Sequence, residues 1–389
     1  MVWGMLAGCD LQENEVLPAD GWARIYESEE FSGDLNPLDV QPTADGGYII
    51  LAEAISELSG FPATYLFKVD EQGLPQWQHT SEKFVRPVSS LLPQANGGYT
   101  LVTSDSEQLG THILRLEDNP AAPLSSQAYF EDYRHPLAAN LADANTYTLL
   151  HWHPDAPSHS QMAQLAGGQT EWNKQYAVYE NVEPHIMSHL TRAQQSRFPF
   201  MVGQVPGGYY FNGFNNFTLS LNFISNTGDA QGSLNGTRYA SGINQVLPLS
   251  NNRLALSYYN ESGAIYLLPN ANLSATETLS ASELPAYPMP ELEAYAPVVI
   301  KEFSLLQEAV VLYASTTKNG RIALYAYNLT GELVGTYYLG SGNRFELGAL
   351  TFTPEGNLVV LAKTYAAGRF SRPSLFKLDY PTVVKLVGK

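Results

Sequence analysis

Asp45-Gly46-Gly47-Tyr48-Ile49-Ile50-Leu51-Ala52 returns along the chain as Asn96-Gly97-Gly98-Tyr99-Thr100-Leu101-Val102 and as Pro206-Gly207-Gly208-Tyr209-Tyr210-Phe211. A late copy reads Glu355-Gly356-Asn357-Leu358-Val359-Val360-Leu361-Ala362. Each is a glycine turn opening onto a short apolar run, the signal of a strand entered from a tight turn. A second phrase follows: Tyr65-Leu66-Phe67-Lys68-Val69-Asp70-Glu71-Gln72-Gly73-Leu74-Pro75-Gln76-Trp77. Its alternation marks a strand, Asp70 to Gly73 a turn, and Trp77 the start of another strand. Copies of the alternating strand fall at residues 111–116, 161–165, 219–224, 264–268, 322–327 and 374–379, which makes seven.

The position of Tyr48 maps onto Tyr99, Tyr147, Tyr209, Arg253, Val310 and Leu358, spaced by 44 to 62 residues. A repeat of this length built from short strands means a solenoid or a propeller. Each unit holds four strands: one before the glycine turn, one after it, the alternating strand and an outer edge strand. The expectation is an all-β chain forming a seven-bladed β-propeller of four-stranded antiparallel blades, with six or eight as the range of error. One domain then covers residues 21–389. Asp20-Gly21-Trp22-Ala23-Arg24-Ile25-Tyr26 reads as an outer strand without a blade, similar to Trp172-Asn173-Lys174-Gln175-Tyr176. The strand at 21–26 is therefore expected to complete the last blade and close the ring; the alternative is that Val383 to Val387 takes that place.

The pattern resembles propellers of Bacteroidota envelope proteins, whose units read D-G-G-Y-I-I and then Y-L-x-K-x-D-x-x-G-x-x-x-W. The resemblance spans nearly all of residues 20–380, closely in the first two repeats and loosely in the third, fifth and sixth. It implies architecture and location, and no single activity. The chain lacks the Trp-Asp dipeptide of WD40 repeats. In kelch repeats the glycine pair follows the apolar strand; here it precedes it.

The formal net charge is −17, with 21 Lys and Arg against 38 Asp and Glu. Such a chain is a poor binder of nucleic acid, which needs Lys and Arg to displace counterions. No apolar run reaches the ~20 residues that span a bilayer. The sole cysteine, Cys9, excludes an internal disulfide framework. Leu6-Ala7-Gly8-Cys9 resembles a bacterial lipobox, in which small residues precede a cysteine that is then lipidated. Only eight residues, none basic, stand before Cys9, so 1–9 reads as a shortened signal segment. Asp10, Glu13 and Glu15 resemble the acidic export signal of Bacteroidota surface lipoproteins, and residues 10–20 read as a tether. What the resemblance implies is a palmitate-bearing lipoprotein of the outer membrane, exposed at the cell surface. It would touch the membrane only through the lipid on Cys9.

Several arginines precede the inner strands at near-equivalent places: Arg86-Pro87, Arg134-His135-Pro136, Arg197-Phe198-Pro199 and Arg344-Phe345. Ring symmetry would aim Arg86, Arg134, Arg197 and Arg344 at one channel mouth, where guanidinium groups suit a carboxylate, a sulfate or an acidic loop of a partner. The competing reading is that each ties down its own loop. His151-Trp152-His153-Pro154-Asp155-Ala156-Pro157-Ser158-His159 gathers three histidines and a carboxylate. His151, His153 and His159 are candidate ligands for zinc or another transition metal, or simply polar filler. The long gap before the fourth unit holds His185 and His189 at helical spacing, expected as a decoration on the rim. It has no Glu for an H-E-x-x-H motif, since Ile186 stands there. The Asp70 turn lacks the alternating acids of a calcium loop. No nucleophile elbow, P-loop or dinucleotide fingerprint is present. Phe211, Phe214, Phe217, Tyr258, Tyr259 and Trp152 are aromatics near loops, suited either to sugar stacking or to packing between blades.

The leading expectation is a non-enzymatic, outer-membrane-anchored accessory or scaffold subunit that binds a membrane or surface protein through one face and needs no cofactor. The alternatives are a cell-surface glycan-binding protein and, third, a hydrolase or lyase working with paired carboxylates or a His-bound metal. Carboxylates contributed by different units would leave no trace in the linear sequence.

Overall fold

The structure is a computed structural model that describes residues 21–28, 31–55, 60–95, 97–117, 119–192, 197–215, 217–237, 240–365 and 370–388. Cys9 and the tether at 10–20 lie outside the described residues. The strands run in consecutive antiparallel units of four. The first unit comprises Asp34–Pro42, Tyr48–Ile55, Ala63–Val69 and Pro75–Val85. The second comprises Leu91–Pro93, Tyr99–Asp105, Thr111–Leu116 and Leu124–Phe130. The third comprises Pro136–Asp143, Thr146–His151, His159–Ala166 and Gln169–Ala177.

The fourth has Val202–Val205, Gly208–Asn215, Thr218–Ser225 and Ala230–Asn235. The fifth has Gly242–Pro248, Leu254–Tyr259, Ile265–Ala271 and a two-residue outer strand, Tyr287–Pro288. The sixth has Val298–Leu305, Glu308–Thr316, Ile322–Asn328 and Leu333–Leu339. The seventh has Phe345–Phe352, Leu358–Thr364 and Arg372–Leu378. Its fourth strand is Gly21–Ile25, paired antiparallel with Arg372–Leu378 from Gly21 opposite Leu378 to Ile25 opposite Ser374. The molecule is an all-β propeller.

Val383 to Val387 does not supply the outer strand. Pro381 starts a helix where its missing N–H costs nothing, and Tyr380–Leu386 forms α2. Val383, Leu386 and Val387 are buried in the core between the sixth and seventh units.

Burial explains why the strand after each glycine turn reads as an unbroken apolar run. Tyr48–Ile55 is buried along nearly its whole length because both of its faces meet a neighbouring unit. Ile50 and Ala52 pack with Val359, Leu361 and Leu375 of the seventh unit. Ile49 and Leu51 point the other way, against Leu91, Leu101 and Leu114 of the second. Similar clusters fill every further junction around the ring. Each buried Leu or Ile contributes about 1.5–3 kcal/mol, so the core is a ring of wedges and not one centre. The outer strands alternate exposed and half-buried residues, as Gln169–Ala177 does, which suits an edge facing water.

The turns repeat as well. Asp70 Oδ1 accepts hydrogen bonds from the Gln72 and Leu74 amides. Asn260 and Asn328 do the same in the fifth and sixth units. Asp70 is thus a turn former, with its carboxylate spent on backbone N–H groups.

Candidate functional site

All the inner strands line one central channel, a cavity of about 1040 Å³. At the end where those strands begin, the chain between the third and fourth units crosses the mouth. This insertion contains α1, Glu183–Thr191, started by Pro184 in its first turn and stopped by Arg192 in the left-handed region at φ 56°. It is not a rim decoration. The Arg192 guanidinium makes an ion pair with Glu53 of the first unit, and both side chains are buried. Asn36 holds the same carboxylate from below at 3.0 Å. Five residues later Arg197 donates to Ser89 Oγ of the second unit at 3.0 Å. Rings from the insertion pack around these charges. His189 accepts the Phe198 amide proton on Nδ1 at 2.9 Å, and Phe198 meets Phe214 edge-on at 5.2 Å.

The four arginines singled out from the sequence do not share one environment. Arg197 and Arg344 line the channel; Arg86 and Arg134 do not. The reason is a slip of one residue. The Arg86 amide donates to Pro62 O, and the equivalent bond in the third unit comes from His135, which donates to Leu109 O. Arg86 and His135 also share the left-handed backbone, at φ 53° and 51°. Arg134 stands one place before, and a one-residue shift turns a side chain to the opposite face. It is exposed. Arg86 instead is buried, its guanidinium 4.3 Å above the Phe61 ring and 2.8 Å from His135 Nδ1. Burial, reinforced by Arg86, pushes the His135 pKa down to about 3, so the ring is neutral. Arg344 is exposed and paired with Glu293 and Glu346.

What the structure does gather at the mouth is Arg192 and Arg197, with Arg86 beneath them. His189 feels all three, and burial and these cations hold its pKa well below the usual range. Glu53 is the carboxylate that Arg192 and Arg197 face, and Asp105 is the one that acts on Arg86. Arg197 has a hydroxyl partner and no carboxylate partner among the described residues. Burial, then the positive charge of Arg192, lowers its pKa to about 10. Lys301 also lines the channel. The channel's own acids are occupied. Asp34 accepts from the Ser371 amide and hydroxyl. Asp39 accepts from the Val40 and Leu91 amides, and burial raises its pKa. Glu293 and Glu346 hold Arg344.

Sequence reasoning missed Arg192, Glu53 and Ser89. Glu53 carries the one readable signal, a lone acid inside an apolar strand.

The histidines do not form a metal centre. His151 faces inward, buried beside the Tyr133 ring at 4.9 Å. His153 lies in the loop beyond, and His159 begins the next strand. Among the described residues no three His, Cys, Asp or Glu side chains converge on a metal position. The loop aromatics also part company. Phe211, Phe214, Tyr258, Tyr259 and Trp152 are buried, and Phe217 is exposed.

No family model and no curated protein sequence matches this chain. Among solved structures it is similar to a lectin from Burkholderia pseudomallei, with 11% identity and a TM-score of 0.54 over 88% of this chain and 98% of that one. It is also similar to the β-propeller domain of the trilobed protease from Pyrococcus furiosus, at 7% identity and a TM-score of 0.48, covering 90% and 97%. A protein of unknown function from Bacteroides caccae matches at 11% identity with a TM-score of 0.40, covering 79% and 94%. At such identities the likeness is one of fold. No described helix is long and apolar enough to cross a membrane.

Proposed function

We propose that the protein is a non-enzymatic binding propeller whose channel mouth takes an acidic segment of a partner protein. A lipid on Cys9 would hold it at the outer membrane, exposed at the cell surface, as an accessory subunit of an envelope complex. The observation that carries this reading is the cationic cluster at the mouth. Arg192 and Arg197 face the single carboxylate of Glu53, and Arg86, whose charge partner is Asp105, lies close enough to repel Arg192, in a chain of net charge −17. Half-buried Arg197 has no carboxylate partner of its own among the described residues, since Glu53 is paired with Arg192, and a carboxylate from outside would supply a bidentate partner in a site already partly dry. Aromatic side chains at the mouth, Phe198, Phe200 and Tyr295 among them, offer the apolar anchors that interfaces favour. Catalysis fits less well, since the channel carboxylates are committed to backbone, hydroxyl or guanidinium groups.

The test is affinity capture of the full-length lipidated protein from native membranes in mild detergent. The expected result is a stoichiometric partner, released when Arg197→Glu replaces the wild type. Recovery of the protein alone, or unchanged capture by Arg197→Glu at unchanged melting temperature, contradicts the reading.

A further inference from the structure

A second cavity lies away from the channel and shares no lining residue with it. It is an open cleft of about 600 Å³ at the side of the third unit, beneath the loop that carries His153 and leads into the strand begun by His159. Gln161 is its floor. In the third unit Gln161 stands opposite His151 on one neighbouring strand and opposite Gln175 on the other, so the three side chains form a row on one face. Two residues along, Ala163 packs with Val102 and Ile113 of the second unit. The row therefore faces the junction between the second and third units, and the cleft opens where the apolar wedge of that junction ends. Asp132, from the connection between the two units, closes the other side.

The polar groups are built in and not filled. Gln161 is 3% exposed, and its Nε2 has no hydrogen-bond partner among the described residues; the same holds for the Nδ1 of half-buried His159. Leaving a buried donor unpaired costs about 1–3 kcal/mol, so an amide kept in this state marks a place for an external acceptor. The complementary acceptors are the carboxylates of Asp132 and Asp155, both exposed. His153 Nδ1 accepts the Asp155 amide proton at 3.2 Å, which leaves Nε2 as the ring's N–H donor.

This set selects a ligand class by elimination. No Lys or Arg lines the cleft and two carboxylates do, so an anion is repelled. A cation would satisfy the carboxylates and confront the N–H donors of Gln161. A transition metal lacks three converging ligands. Hydroxyl groups donate to carboxylates and accept from amides at once, and vicinal hydroxyls do so in pairs. The geometry points to a binding site for a neutral saccharide unit in the cleft between the second and third units, with Gln161 and Asp132 as its recognition residues. No Phe, Tyr or Trp lines the cleft among the described residues, so affinity rests on hydrogen bonds and is weak, with a dissociation constant of ~1 mM.

The experiment is saturation-transfer NMR on the full chain with glucose, galactose, mannose, fucose and N-acetylglucosamine, using glucuronate and zinc as comparisons. The expected result is saturation transfer to at least one neutral sugar, weakened tenfold or more by Gln161→Leu and by Asp132→Ala at unchanged melting temperature. Asp132 is exposed, so its variant keeps the test decisive if Gln161→Leu fails to fold. The inference is overturned if no neutral sugar gives a signal at millimolar concentration, if both variants bind as the wild type does, or if glucuronate or zinc binds in preference. Arg197→Glu leaves sugar binding unchanged, which separates this site from the proposed channel interface.

Discussion

A carboxylate with no exposed surface, Glu53, sits in an apolar strand and meets a guanidinium delivered from 139 residues away. Removing one member of a buried pair strands the other, which costs about 3–5 kcal/mol. Glu53→Gln is therefore expected to lower the unfolding free energy by that amount, read as a lower denaturant midpoint at constant slope. Glu53→Leu combined with Arg192→Met recovers much of the loss; a Glu53→Gln midpoint within error of the wild type means the pair is not formed.

The buried imidazoles give a second prediction. Burial lowers the pKa of His135 and His151 to about 3 and holds that of His189 well below its ordinary value. The unfolded chain takes up these protons near pH 6.5 and the folded chain does not. Their contribution to stability is thus complete above pH 6.5 and is lost as pH falls towards 3. Urea unfolding at pH 7, 5.5 and 4 should show monotonic loss, with His135 and His151 together contributing an uptake of nearly two protons on unfolding at pH 4. A flat profile would mean that these rings are solvated. At this level the sequence was only partly readable. Recurrence placed arginines near the inner strands, but a one-residue slip between Arg86 and Arg134 is invisible without the hydrogen bonds that fix register.

Adjacent units are latched by a device that the sequence displayed without explaining. Trp22-Ala23-Arg24-Ile25-Tyr26 resembles Trp172-Asn173-Lys174-Gln175-Tyr176 because both strands grip the next unit's turn. Tyr26 donates to Gly73 O and Tyr176 to Gly228 O. Arg24 donates to Gln72 O, and Lys174 reaches Asp229 at 3.1 Å. The indoles lie over the turn glycines, where an added Cβ would stand 2.6 Å from Trp22 at Gly73 and 2.9 Å from Trp172 at Gly228. Gly73 is at φ 77°, whereas Gly97, at φ 81°, has open space around it. Gly97→Ala is expected to cost the left-handed backbone alone, about 1–2 kcal/mol. Gly73→Ala adds a clash with the indole and costs about 1–3 kcal/mol more. Equal melting temperatures for the two variants would show that the indole does not bind the turn. The repeat was legible because its turn chemistry is local. The insertion was not, because helical spacing in residues 183–191 says nothing about which distant unit it reaches.

For the molecule as a whole, ring closure depends on five residues that begin the described chain and pair with one of its last strands. Deleting residues 21–26 leaves Arg372–Leu378 as a bare edge and takes Trp22 from the junction between the seventh and first units. The expected outcome is melting several degrees lower and association that grows with concentration, seen by size-exclusion chromatography. A monomer that melts as the full chain does would place closure elsewhere. The architecture could be inferred from the sequence because seven similar phrases share one job. The channel mouth could not, since it joins Glu53, Ser89, Arg192 and Arg197 from three parts of the ring. The proposed binding of an acidic partner segment is tested most directly by titrating the captured partner against wild type, Arg197→Glu and Arg134→Glu in a calorimeter. Arg197→Glu should weaken binding by about 2–5 kcal/mol while Arg134→Glu leaves it unchanged. Equal affinity for all three proteins, or loss only with Arg134→Glu, would move the interface off the channel mouth.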